Sequence, residues 1–391
     1  MEKHAVQDYF PEDTRSIDPC EPVRKIPGDE ERAPEPGMAL CLSGGGYRAM
    51  LFHLGALTRI NELGLLRSLK RVSSVSGGSI TAGVLGLKWQ RLVFDAHGMA
   101  TNFADEVSEP IRRLAGVTID VGCILRGIFL PGSIADYVDH TYQDHLFGKA
   151  TLQDLPTDEQ GPRFVINATN VGSGVLWRFS RPYMRDYKVG EVRNPTVPLA
   201  RAVAASSAFP PVLSPLTLDL RPFTFTPNSG KCLQHPPFTE QAVLTDGGVY
   251  DNLGLETAWK RYLTVLVSDG GGYLSMDDRP KRNWFSHAYR VLFMINNQVG
   301  ALRKRQVIRS YQTGVRRGTY WGIRTNIKDY GLADAIDFPY KRSLPLANVP
   351  TRLKALDRET REELVHWGYS VCDAALRRHV VDESTMSEVL L

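Results

Sequence analysis

From residue 38 onward, short apolar runs alternate with longer stretches whose apolar residues recur every third or fourth position. Met38-Ala39-Leu40-Cys41-Leu42 is an apolar run that stops at a glycine cluster, the pattern of a buried strand. Leu51, Leu54, Leu57 and Ile60 follow at helical spacing, with Gly64 as a stop. Val72-Ser73-Ser74-Val75 reads as a second strand, and a second helix as running from about Ser79 to Leu92. Further strands are predicted at Phe164–Ala168, Ala242–Leu244 and Leu263–Val267, two of them ending in Asp-Gly-Gly. This alternation predicts an α/β fold, with a central, mostly parallel sheet flanked by helices. The loops at the carboxyl ends of its strands are the expected place for chemistry.

The flanks read differently. Residues 1–37 are polar and punctuated by six prolines, which predicts a flexible arm. Residues 38–391 then form one domain, including a helical region over about 285–380. The segments Leu114–Pro131 and Pro222–Pro237 read as insertions around the sheet, the first as a lid, an interfacial contact or buried core.

Composition narrows the class. With 42% apolar and 23% charged residues in 391, a full core is within reach and global disorder is excluded. The net charge of +4 is too small to argue for nucleic acid. The five cysteines are odd in number, widely spaced and without a CxxC pair, so a disulfide framework or zinc ribbon is not expected and a reducing, cytoplasmic compartment is. The N-terminus lacks the apolar core of a signal peptide, and no apolar run reaches the roughly 18 residues of a transmembrane helix.

Three features carry candidate chemistry. Ser74-Val75-Ser76-Gly77-Gly78 sits at a strand-to-helix junction. A serine at the apex of such a turn projects its hydroxyl beside a helix N-terminus, where developing negative charge is favoured. The usual pattern is G-x-S-x-G, and Ser74 replaces its first glycine. Ser74 and Ser79 are rivals, but the first lies in the strand and the second in the helix start, leaving Ser76 at the apex. One crossover earlier, Ser43-Gly44-Gly45-Gly46-Tyr47-Arg48 also joins strand to helix. Its glycines let successive N–H groups converge on an anion, and it lacks the endings of a nucleotide or dinucleotide loop. An oxyanion hole fits, with Arg48 reinforcing the field. Third, Asp246-Gly247-Gly248 ends an apolar run and offers a carboxylate base, with Asp269-Gly270 as a rival of the same form.

Together these motifs resemble the patatin-like phospholipase family, in the family's order and from about Leu40 to Gly272. Phe164–Gly174 and Ala204–Pro210 are also similar to it. The resemblance implies a three-layer α/β/α fold and a Ser-Asp dyad without histidine. It implies Ser76 as nucleophile, Asp246 as base, Gly44, Gly45 and Gly46 as oxyanion hole, and Arg48 beside them. The implied substrate is a membrane phospholipid or lysophospholipid, cleaved through an acyl-enzyme, with peripheral membrane contact.

Two other readings compete. The order Ser76, Asp246, then His287, His366 or His379 permits a Ser-Asp-His esterase. Against it, none of these histidines stands in an evident site loop, and His53 reads as packing. A non-enzymatic membrane- or RNA-binding module is suggested by the basic residues of 303–317 with Tyr311, Tyr320 and Trp321 interleaved. A solvated helix face is the default there, anionic lipid the second choice and RNA the third. No metal-ligand spacing occurs, no cofactor is expected, and nothing names a regulatory partner.

Overall fold

The computed structural model describes residues 34–119, 134–211, 213–272 and 276–381. Most of the arm, 1–33, and most of the 114–131 insertion, from 120 on, lie outside the described residues. The elements in chain order are β1 (Glu35–Leu42), α1 (Gly46–Glu62), β2 (Leu69–Val75), α2 (Gly77–Lys88), α3 (Glu109–Leu114), α4 (Ile134–Tyr142), β3 (Arg163–Asn170), β4 (Val175–Phe179), β5 (Tyr183–Asp186), β6 (Gly190–Arg193), α5 (Leu199–Ser206), β7 (Leu216–Asp219), β8 (Gln241–Asp246), α6 (Gly248–Asp251), α7 (Glu256–Trp259), β9 (Tyr262–Asp269), α8 (Trp284–Gln312), β10 (Arg317–Gly322), α9 (Tyr340–Ala347) and α10 (Arg358–His379).

One sheet runs in the order β10-β9-β1-β2-β3-β4-β5-β6, with β8 also paired to β3 and β7 to β8. The five strands from β10 to β3 are parallel, joined by crossover connections. Strands β4 to β8 are antiparallel additions. Both faces are covered, as alternation along β1 makes plain. Leu40 and Leu42 enter one core with α1, α2 and α10, whereas Ala39 and Cys41 enter a second with Leu253, Leu255 and Val307. Side chains that alternate across a strand feed two cores only when helices or loops lie on both sides. The mostly parallel sheet with flanking helices is therefore as the pattern predicts.

Several boundaries differ from the sequence reading. β1 begins at Glu35, not Met38, because the Glu35 N–H bonds Arg261 O (2.7 Å) and its carboxylate pairs with the Arg261 side chain (3.1 Å). The second helix ends at Lys88 and a single tighter turn carries it to Arg91. Leu114 and Ile119 are buried, and Ile119 N–H bonds Leu353 O, so the described start of that insertion is core. Cys41 and Cys372 are free and buried, but Cys232 is disulfide-bonded, which the reading of a reducing compartment without a disulfide framework does not predict. Among the described residues no helix is long and apolar enough to cross a membrane.

Helix α1 is the spine of the site. Fourteen of its residues are buried between the sheet and α10. The two helices touch backbone to backbone: a Cβ on Gly55 would come within 1.9 Å of Val365 O, and one on Gly368 within 2.0 Å of Phe52 O. That close crossing packs α1 tightly between α10 and the sheet, with the glycine loop at its amino end.

Candidate active site

Strand register brings the two sequence-distant motifs together. Val75, the last residue of β2, pairs with Asn167 of β3. The next residue of β3, Ala168, pairs with Asp246 at the end of β8. Ser76 and Asp246 therefore leave neighbouring ladders at the same level. β8 runs antiparallel to β3. Asp246 thus reaches the site on a returning strand, not at the carboxyl end of a parallel one as its sequence position suggests.

Ser76 turns the chain from β2 into α2 with φ 51° and ψ −121°. A non-glycine residue there is strained, and such strain concentrates where a side chain must be aimed. A buried polar network holds the turn. The Ser76 N–H donates to Ser206 Oγ (2.9 Å), Ser206 Oγ donates to Asn167 O (2.6 Å), and Ser79 Oγ lies 2.9 Å from Ser206 Oγ and 3.0 Å from Ser74 Oγ. Asn167 Nδ2 bonds Ser73 Oγ (3.0 Å) and Ser74 O (2.9 Å). Ser74 and Ser79 are thus committed to supporting the turn. Ser74, which stands where the usual pattern has glycine, places its hydroxyl in that network. Ser206 and Asn167 were not singled out from sequence, although both lie in segments quoted for the family resemblance.

The two aspartates differ in kind. Asp246 is 1% exposed. Its Oδ1 accepts the Gly248 N–H at 2.7 Å, whereas Oδ2 is buried and closes no hydrogen bond of ordinary length. Burial pushes its carboxyl up to about 7, against the opposing pull of the Gly248 N–H and the nearby Ser76 hydroxyl. Asp269 faces Lys304 Nζ (2.5 Å), Tyr320 Oη (2.7 Å) and the Gly271 N–H (2.9 Å). Burial alone would raise Asp269, but these three donors overcome it and hold it at about 2. Asp269 is a structural anion, and Asp246 has an open oxygen and a pKa in the working range of a base. Asp251 accepts the Leu253 and Glu256 N–H groups and orders its loop.

The glycine loop packs directly on the serine turn. A Cβ on Gly77 would meet Gly46 O at 2.1 Å, and one on Gly44 would meet Asn252 Oδ1 at 2.4 Å and Ser76 Cβ at 3.1 Å. Its three glycines are not equivalent donors. The Gly44 N–H is taken by Asn252 O (3.0 Å), so Gly44 contributes close approach, not a free donor. The N–H groups of Gly45 (φ 147°) and Gly46 (φ 61°) bond to no other described residue. They are orphan donors at the start of α1, where its dipole adds positive potential. Arg48 also differs from expectation. Its guanidinium is buried, with Nε on Gly270 O (3.0 Å), Nη1 on Val349 O and Nη2 on Thr351 Oγ1 (2.9 Å). Burial draws its pKa down to about 10, with the Asp269 charge opposing. Arg48 ties the loop to two distant segments and adds charge without offering a hydrogen bond to the site.

No histidine bonds Ser76 or Asp246 among the described residues. His53 is buried, with Nδ1 2.8 Å from Ser268 Oγ and Nε2 2.9 Å from Ser43 O, and burial draws it down to about 4. His366 packs on Phe338 and His379 on Tyr330. The described residues contain no cluster of His, Cys, Asp and Glu able to hold a metal.

Comparison with known proteins adds the lineage. The model of the patatin-like phospholipase family matches residues 40–259. Human GIVD cytosolic phospholipase A2 has a TM-score of 0.51 at 13% identity, over 91% of this chain and 59% of that one. The same human enzyme in complex with methyl gamma-linolenyl fluorophosphonate gives 0.47 at 15% identity over 94% and 60%. VipD from Legionella pneumophila gives 0.33 at 15% over 91% and 73%. No curated protein matches significantly. The chain spans about three-fifths of the human phospholipase, and at this identity the likeness speaks for the fold. The family model takes in the glycine loop, the serine turn and Asp246 and more than half of the chain, which belongs to the patatin-like phospholipase family.

Proposed function

We propose that this protein is a lipid acyl hydrolase of the phospholipase A or lysophospholipase type, with residues 38–391 as one catalytic unit. The observation that carries this reading is the buried Asp246 carboxylate, one oxygen fixed by Gly248 and the other open beside the strained Ser76 turn. Asp246 takes the Ser76 proton as Oγ attacks the ester carbonyl. The carbonyl oxygen becomes an oxyanion under the Gly45 and Gly46 N–H groups, each such donor typically contributing about 3 kcal/mol to barrier lowering. Collapse expels the alcohol, which recovers the proton from Asp246, and leaves Ser76 acylated. Water, giving a proton to Asp246, then attacks the acyl carbonyl, and collapse releases the fatty acid as Ser76 Oγ takes that proton back. The Ser-Asp-His alternative has no support in the surroundings of the dyad. The RNA reading loses its stacking platform: Trp321 is buried, and the Tyr311 and Tyr320 hydroxyls bond Val265 O and Asp269.

Labelling with a fluorophosphonate followed by peptide mass spectrometry should place one adduct on Ser76, and a phospholipid panel should release fatty acid. An adduct on another serine, or none, overturns the assignment.

Ser206 is read as the positioning residue of the nucleophile. Ser206→Ala leaves the Ser76 N–H without its acceptor, a loss of about 1.4 kcal/mol, or roughly tenfold in kcat with KM little changed. An unchanged kcat in steady-state kinetics would remove Ser206 from the machinery.

A further inference from the structure

We propose that the outer face of α8 is a docking surface for an anionic lipid bilayer. This deepens the hydrolase reading and rests on it for its biological sense, but it stands on separate residues. Among the described side chains of α8, only Val307 and Ser310 are fully buried in a helix of 29 residues. Its exposed side carries an apolar stripe. Trp284 is 83% exposed, Ile295 58% and Leu302 60%, with Phe285, Val291 and Met294 beside them. Positions 284, 291, 295 and 302 follow helical spacing, so they share one face. Contiguous apolar surface of this kind marks an interaction site.

Charge selects the partner. From Arg279 to Lys328 the chain has twelve Lys and Arg and no Asp or Glu. The whole chain is only +4, so the remainder is net negative and the positive charge is gathered here. Some of these cations are used internally, Arg303 by Glu256 and Lys304 by Asp269. Lys281, Arg282, Arg305 and Arg309 are exposed around the apolar stripe. A helix with Trp and Phe at one end, aliphatic residues along its face and uncompensated cations at its flanks matches the interface of an anionic bilayer.

Position connects the surface to the site. On the inner side of α8 the Phe293 ring meets Phe209 at 5.6 Å and Tyr289 at 4.7 Å. Phe209 follows Ala208, whose carbonyl accepts the Asp246 N–H at 2.9 Å. The helix therefore lies between the aspartate loop and solvent, and a bilayer on its outer face sits beside the site that would take a lipid ester.

The test is partition into vesicles of phosphatidylcholine alone or with one-quarter phosphatidylserine, scored by sedimentation and by tryptophan emission. The full chain should bind the anionic vesicles at least tenfold more tightly, weaken with salt, and blue-shift through Trp284. Trp284→Gln/Ile295→Gln/Leu302→Gln should abolish the blue shift. Arg282→Glu/Arg305→Glu/Arg309→Glu should weaken binding on the order of 100-fold, at about fivefold or more per cation lost. Both variants should keep wild-type turnover of a short-chain soluble ester. Unchanged partition in both would overturn the proposal. So would preferential binding of single-stranded RNA through the same cations, or a dimer of the wild-type chain that the glutamine variant dissociates while partition persists. Failure of the hydrolase reading would instead appear as absent turnover of the soluble ester by the wild-type chain, with partition intact.

Discussion

Ser76→Ala is expected to lower acyl release by about 10⁴-fold or more, with the melting temperature nearly unchanged. Loss of a nucleophile has effects of this size because the remaining groups cannot form the acyl-enzyme. The fold should survive because the turn is not held by the Ser76 hydroxyl. It is held by the Ser76 N–H on Ser206, the Ser206 hydroxyl on Asn167 O, and the bonds from the Ser79 and Ile80 N–H groups to Ser76 O. Ser76→Gly should be equally inactive but more stable by about 1–2 kcal/mol, because glycine adopts φ 51° without strain. Asparagine at His287, His366 or His379 should leave fatty-acid release close to wild type. These outcomes are read by fatty-acid release and calorimetry. Residual activity within tenfold of wild type in Ser76→Ala would show that another serine carries the acyl group. Collapse of activity in any of the three histidine variants would restore a triad.

Much of the candidate site was legible because its motifs are local. The run from Met38 to Leu42, the three glycines after it and the serine at the next strand-to-helix junction each declare themselves within a few residues. What was not legible depends on partners far along the chain. Arg48 reads as a site cation until Gly270, Val349 and Thr351 are seen to consume its donors across more than 200 residues. Gly44 reads as an oxyanion donor until Asn252 O takes its N–H. Ser206 reaches Ser76 across 130 residues, and no periodicity announces a hydroxyl that accepts a single N–H. Strand direction is the same kind of fact. The run from Ala242 to Leu244 predicts a strand, but only its pairing with β3 decides that it runs backwards and delivers Asp246 beside Ser76. The choice between Asp246 and Asp269, identical in their Asp-Gly turns, rests on Lys304 and Tyr320, which partner one and not the other.

That difference gives Asp246→Asn two opposite expected effects. Activity should fall as steeply as in Ser76→Ala, since an amide cannot take the Ser76 proton. Stability should rise at alkaline pH. In the unfolded chain Asp246 titrates at its ordinary value of 3.8, whereas burial raises it to about 7 in the fold. Between these values the folded state keeps a proton that the unfolded state has released, so raising the pH favours unfolding. The contribution is most favourable below pH 4, falls through the window from 4 to 7 and is lost above it. A shift of about 3 units corresponds to about 4 kcal/mol. Asparagine does not titrate, so the stability gap between variant and wild type should move in the variant's favour by roughly that amount from pH 4 to pH 8. On the proposed mechanism the same protonation sets the wild-type rate. The base must be ionised, so kcat/KM should climb with pH, reach half its maximum near 7 and level off above it. A gap independent of pH, measured by denaturant unfolding, would mean that the Asp246 carboxyl is ionised throughout this range. The rate profile would then owe its midpoint to another group. Agreement of the two midpoints would tie the cost of burying this carboxylate to its work as a base, through one titration seen in two measurements.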